Sequence, residues 1–199
     1  MRRIRKTSIA LATLGLVGLT LGTATATAAP LVVKPHIVPA STVVAGTSIT
    51  NTVFAAGAIT VTCTTSTAGG KTPKSGVKFT INPKPTFSDG SGPCTDSLGF
   101  TDTTVTSGTW SLKFVNPSEL EVVVPIAGAV VNNTAGCAIT LAPTKALNIK
   151  GTYDGVSKFT INATGLPIKI TGNPLICPAA TKATFKATYN FVPGMSEVG

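Results

Sequence analysis

Four cysteines, one histidine and seven acidic residues carry most of the nucleophilic, acid–base and metal-binding chemistry available to this 199-residue sequence. Their spacing excludes most of it. A serine or cysteine nucleophile needs an imidazole beside it and a third group to orient that ring. The single histidine, His36, lies in a proline-flanked arm between Pro35 and Pro39 with no such partner in its segment. Glycoside hydrolysis needs two carboxylates set across one bond. Glu119 and Glu121 share one outward strand face beside a turn and read as solvated charges. Asp89, Asp96 and Asp102 fall in or near a turn-rich stretch but lack the Asp-x-Asp-x-Asp-Gly ladder of a calcium loop, so they read as turn-forming aspartates. No Cys-x-x-Cys pair is present, and no glycine-lysine loop could cradle a phosphate. The expectation is a protein that is not an enzyme and holds no metal or cofactor.

Cys63, Cys94, Cys137 and Cys177 read instead as two disulfides. Four cysteines allow three connectivities. Pairing neighbours in sequence, Cys63 with Cys94 and Cys137 with Cys177, is preferred. Each bridge would then close a loop of about 30 to 40 residues, worth about 3.5 to 4 kcal/mol in the chain-entropy account.

That reading needs an oxidising compartment, and residues 1–28 supply the route. Arg2, Arg3, Arg5 and Lys6 precede an apolar run from Ile9 to Leu21 and a small-residue tail ending Ala26-Thr27-Ala28. This is the pattern of a secretory signal peptide cleaved after Ala28. The apolar run is shorter than the roughly 18 residues of a membrane span. Loss of the four leader charges takes the formal charge from +9 to +5, and every arginine goes with them. A chain without the guanidinium fork is poorly equipped to read nucleic acid or phosphate, so no nucleic-acid partner is expected.

Residues 29–199 read as a single β domain. Residues 29–47, broken by Pro35, Pro39 and Gly46, read as an N-terminal arm or edge strand. Beyond them the apolar residues recur every second position, the period of a half-buried strand. Ile59, Val61 and Cys63 alternate with threonines; Val77, Phe79 and Ile81 follow a turn or longer loop made by Gly69, Gly70, Pro73 and Gly76, as a hairpin partner or near neighbour. Residues 83–99 form a loop held by Cys94. Trp110, Leu112 and Phe114 face Leu120, Val122 and Val124 across the Asn116-Pro117-Ser118 turn, with Trp110 in the core. Residues 122–131 are one strand buried on both faces, or two broken at Pro125 and Gly128.

From Cys137 to Phe191 the chain reads as a cysteine-stapled meander that ends in a clean strand, Ala183 to Phe191. Within it, a three-residue Tyr153-Asp154-Gly155 loop opposes Ile149 to Phe159 and, on the outer face, Lys150 to Lys158. Either solvent screens these two like charges or an anion sits between them, which marks Lys150 and Lys158 as a candidate contact for an anionic polymer. No stretch after the leader carries a helical period. The fold class is all-β, an antiparallel β-sandwich or barrel with meander or Greek-key connections and two disulfides.

The order Val61-Thr62-Cys63, then Phe87 to Cys94 (FSDGSGPC), Gly136-Cys137, Gly151-Thr152-Tyr153, Gly165-Leu166-Pro167 and Ala183 to Pro193 (ATFKATYNFVP) resembles small exported four-cysteine β-rich proteins of actinobacteria. The resemblance implies export and a β fold and supplies no site. Outward lysines on threonine-rich strands then point to a secreted, non-catalytic protein, structural or adhesive at the cell envelope, with anionic cell-wall polymers or envelope lipid as partners. The alternative is a barrel that shelters an apolar ligand or enters an outer lipid layer through residues 122–131.

Overall fold

The computed structural model describes residues 34–199. The signal peptide expected over 1–28, and the start of the expected arm, lie outside the described residues. All regular structure among the described residues is strand. In chain order the strands are β1 His36–Val38, β2 Val43–Ser48, β3 Thr52–Ala56, β4 Ile59–Cys63, β5 Thr65–Lys71, β6 Lys78–Thr80, β7 Thr86–Ser88, β8 Cys94–Asp96 and β9 Thr101–Thr106. Then come β10 Ser111–Asn116, β11 Glu119–Val124, β12 Ala129–Asn133, β13 Ala138–Leu141, β14 Leu147–Tyr153, β15 Lys158–Thr171, β16 Lys182–Val192 and β17 Ser196–Val198.

β15 and β16 form a long antiparallel ribbon, paired from Lys158↔Asn190 to Pro167↔Lys182. The other edge of β15 carries β14 near its start (Tyr153↔Phe159) and β13 at its end (Leu141↔Ile168). The other edge of β16 carries β3 in its first half (Phe185↔Phe54) and β2 in its second (Phe191↔Gly46). From β13, pairing runs through β12, β9, β8, β4 and β3 back to β16, so eight strands close as an antiparallel barrel. From the other half of the ribbon, β14, β11, β10 and β6 run one way and β2 and β5 the other, and the two arms meet at the Gly70↔Ile81 bridge. Closure removes open edges that would otherwise recruit other chains.

The ribbon serves both circuits because β15 changes its inward face. Phe159 and Ile161 are buried in its first half, Leu166 and Ile168 in its second, so the buried parity switches. A one-residue bulge makes the switch: the register slips between Ala163 and Leu166, and Gly165 there takes φ 69°. An extra residue moves every later side chain to the opposite face. One continuous apolar core results, with Phe114, Phe159, Leu112 and Leu120 among its fully buried side chains. Each such side chain contributes about 1.5 to 3 kcal/mol by leaving water.

Several expectations hold. β10 and β11 pair with Leu112↔Val122 and Phe114↔Leu120. Trp110 is buried and donates its indole N–H to Ser107 O at 3.0 Å. The apolar run over 122–131 is two strands, β11 and β12, parted at Pro125 to Gly128. In β16, Ala183, Ala187, Tyr189 and Phe191 are buried and Phe185 packs against the core.

Other expectations are corrected. The span from Cys137 to Phe191 is not a meander, because β13 and β14 pair with successive parts of β15 rather than with each other. Gly69 and Gly70 are not a turn but the end of β5. A Cβ on Gly69 would lie 2.6 Å from Val44 O, and one on Gly70 2.3 Å from Thr80 O, so glycine permits neighbouring backbones to approach. β4 therefore pairs with β3 and β8, while β6 pairs with β10. Within residues 29–47 the proline-flanked β1 meets only β17, but β2 is flanked by both β16 and β5 and is not an edge. The loop over 83–99 contains two short strands, β7 and β8.

The turn register also differs. Strand pairing continues through Tyr153, which opposes Phe159, and the reversal falls at Asp154 to Ser157. Asp154 Oδ1 accepts from the amides of Val156, Ser157 and Lys158 at 2.8 to 2.9 Å. Tyr153 belongs to the core, edge-on to Phe114 at 5.4 Å, and its burial draws the strand one step further than a three-residue loop would. Ile149 consequently opposes Val122, not Phe159.

Candidate functional site: a charged row and a polar groove

Side chains alternate across a strand, so each inward row of the sheet has an outward row one residue along. Phe79, Leu112, Val122 and Ile149 are cross-strand partners facing the interior. Outside them, Lys78 opposes Lys113, Lys113 opposes Glu121, and Glu121 opposes Lys150. Three lysines and one glutamate thus stand in register across four adjacent strands. Lys78 and Lys113 are a like-charged cross-strand pair, an arrangement that costs stability unless an anion or solvent relieves it. Glu121 is buried and stands in register between its two lysine neighbours.

Beside this row lies a groove of about 330 Å³. β14 and β15 are paired only at Thr152 and Tyr153 and part beyond Gly151. The groove at this parting is lined by Ser118, Glu119, Lys150, Thr152, Thr160 and Asn162. Lys150 Nζ meets Glu119 Oε1 at 2.8 Å. The hydrogen bond to Glu119, then the charge of the same carboxylate, raises the Lys150 pKa above its ordinary value, so the ammonium stays charged across the physiological range. Across the groove, Glu119, Thr152, Thr160 and Thr188 form a second outward row. The combination offers ammonium donors, hydroxyls and a carboxylate to a polar ligand. It contains no imidazole.

Both preferred disulfides are present, Cys63–Cys94 with Cα atoms 4.7 Å apart and Cys137–Cys177 at 5.5 Å. Lys150 and Lys158 are not opposed: Lys150 pairs across to Glu121, and Lys158 to Asn190. The basis for placing an anion between those two lysines is therefore gone, because it rested on the three-residue turn. The like-charged pair sits at Lys78 and Lys113, which the alternation around Phe79 and Leu112 marks as outward without showing that their strands are neighbours. His36 approaches only Lys34 O, at 3.3 Å.

Two further features lie in the interior. An apolar cavity of about 80 Å³ lies among Phe54, Val61, Leu112, Val131, Ile161 and Tyr189. At one end of the eight-stranded barrel, Asp96 and Asp102 are both buried: Asp96 is a turn former, as expected, whereas Asp102 lies within β9 and forms no turn. Asp102 lies opposite Cys94 on β8 and Asn133 on β12. Asp96 Oδ1 accepts from the amides of Leu98 and Phe100, at 2.8 and 2.9 Å, and its Oδ2 from Asn133 Nδ2 at 3.3 Å. Both carboxylate oxygens of Asp102 lack a hydrogen-bond partner. The chain matches no protein-family model, no curated protein and no solved structure, so its sites rest on the geometry of its own residues.

Proposed function

We propose that the protein is a secreted, non-catalytic β-barrel module that works at the cell envelope by binding, with anionic wall polymers as its ligands and the Lys78–Lys113–Glu121–Lys150 row as its contact face. The observation that carries this reading is the like-charged Lys78↔Lys113 pair, continued in register to Lys150 at the mouth of a polar groove. A polymer with repeated negative charges would relieve that repulsion at several points at once, and the hydroxyls of Thr152 and Thr160 would meet its polar backbone. Two disulfides suit an oxidising, extracellular setting.

The rival reading, a barrel for an apolar ligand or a lipid layer, has less support. A cavity of about 80 Å³ is far below the roughly 300 Å³ at which small-molecule pockets begin. A lipid-facing barrel turns an apolar band outward, whereas the outward rows here carry lysine, glutamate and threonine.

Retention of the mature protein on purified cell wall tests the proposal. Binding should fall as salt rises from about 0.05 to 0.5 M, because exposed charges are screened over that range. Joint Lys78→Gln, Lys113→Gln and Lys150→Gln substitution should weaken it while the fold survives. Absence of salt-sensitive retention, or retention unchanged in the triple variant, would reject this contact face.

A further inference from the structure

The buried end of the barrel carries a second inference, independent of the outer face. Asp102 is 1 % exposed and neither oxygen of its carboxylate has a partner. An ionised carboxylate cannot be left in that condition cheaply: it must find a cation, accept hydrogen bonds, or take up a proton. No basic side chain is supplied locally. β4, β8, β9 and β12, with the turns 97–100 and 134–136, contain no lysine, arginine or histidine. Cys63 and Cys94 are joined and do not titrate, and Asn133 is neutral, with its Oδ1 already accepting from the amide of Cys137 at 3.1 Å. The only other titratable group on these elements is Asp96. Its Oδ1 is held by two amides, while its Oδ2 has a single amide contact at 3.3 Å and retains capacity to accept.

We propose that Asp102 is the neutral member of a carboxylic acid–carboxylate pair with Asp96, forming a proton-held latch that fastens β9 to its neighbours at this end of the barrel and loosens as the medium turns alkaline. Asp96 already accepts from two backbone amides, which leaves the proton to Asp102, toward whose oxygens nothing donates. Burial, then the charge of Asp96, pushes the Asp102 pKa up to about 7. The folded state therefore holds this proton more tightly than the unfolded chain. The stabilisation is complete below the unfolded value near 4 and is lost as pH rises through about 7.

The test is thermal unfolding of the mature, disulfide-bonded protein between about pH 5 and 9, compared with Asp102→Asn, which replaces the acid by a neutral isostere. The wild-type Tm should fall relative to the variant from about pH 5 to about 7 and run parallel to it above that, with amide exchange over 94–104 quickening first. Infrared spectroscopy of the wild type should show the carbonyl stretch of a protonated carboxylic acid at about pH 6 and its loss at about pH 9, so the proposal stays testable if the variant does not fold. pH profiles that run parallel throughout for the two proteins, or no protonated-acid band on the acid side, would overturn it. So would a wild-type profile that millimolar calcium flattens, because a cation would then occupy the place assigned to the proton.

Discussion

Tyr153 ties the end of the chain to the barrel. Its hydroxyl lies 2.7 Å from Val156 O and 2.6 Å from Met195 O, and accepts from the Met195 amide at 3.1 Å. Tyr153→Phe keeps the ring against Phe114 but leaves the Met195 carbonyl without its hydroxyl donor, while the Met195 amide keeps its bond to Val156 O at 3.0 Å. The expected loss is about 1 to 3 kcal/mol in urea unfolding, with faster amide exchange in β17, which follows Met195 directly. The adjacent Asp154 acts through charge. Amides of Lys158 and Val156 hold its carboxylate ionised and depress its pKa. With the folded value below the unfolded one, its contribution is present above about pH 4 and lost as pH falls through the folded value. Asp154→Asn should therefore flatten the acid arm of a Tm–pH profile while leaving the neutral region nearly unchanged; an acid arm identical to wild type would refute the role. At this scale the sequence was half legible. Asp154-Gly155 marked the turn, but tyrosine suits a turn or a strand, and only Phe114 and Met195, distant in sequence, decide between them.

Glycines show the same division at the scale of elements, because a glycine needed for its φ and one needed for its lack of a side chain look alike in sequence. Gly165 takes φ 69° with open space where an alanine methyl would stand, so Gly165→Ala carries only backbone strain, about 1 kcal/mol. Gly151 has ordinary φ, but a Cβ there would sit 2.4 Å from Thr160 O and 2.6 Å from the Phe159 ring. Gly151→Ala should cost about 2 to 3 kcal/mol, and it should also pry β14 from β15 and reshape the groove beside Lys150. Equal losses for the two variants in denaturant unfolding would contradict this account. The strands themselves were readable wherever apolar residues alternate, as in β10, β11 and β16. Pairing between strands distant in the chain was not, since Lys78, Lys113 and Lys150 reach one row only through partners that no local pattern specifies.

Both disulfides belong to the same half of the molecule. Cys63 and Cys94 join β4 to β8, and Cys137 and Cys177 tie the entry of β13 to the segment after β15, all within or beside the eight-stranded circuit. The other circuit, through β14, β11, β10, β6, β5 and β2, has no disulfide: packing, hydrogen bonds and the Lys150–Glu119 ion pair hold it, and the buried Thr52–Ser66–Tyr189 hydroxyl chain at 2.7 and 2.9 Å ties its β5 to β3 and to the ribbon. Cysteine spacing was enough to suggest the two bridges, but it could not place them on one circuit, because that depends on the ribbon joining both. A bridge stabilises chiefly by restricting the unfolded chain, by about 3 to 4 kcal/mol for loops of this length, and it also suppresses local opening between its ends. Reduction should therefore quicken amide exchange first in β4, β8 and β13, and in the loop carrying Leu175, which is 92 % exposed and anchored next to Cys177. Exchange in β10, β11 and β14 should follow only when the whole molecule opens. Uniform acceleration across both circuits would show instead that the shared β15–β16 ribbon makes them one cooperative unit, with no separate stability for the unstapled half.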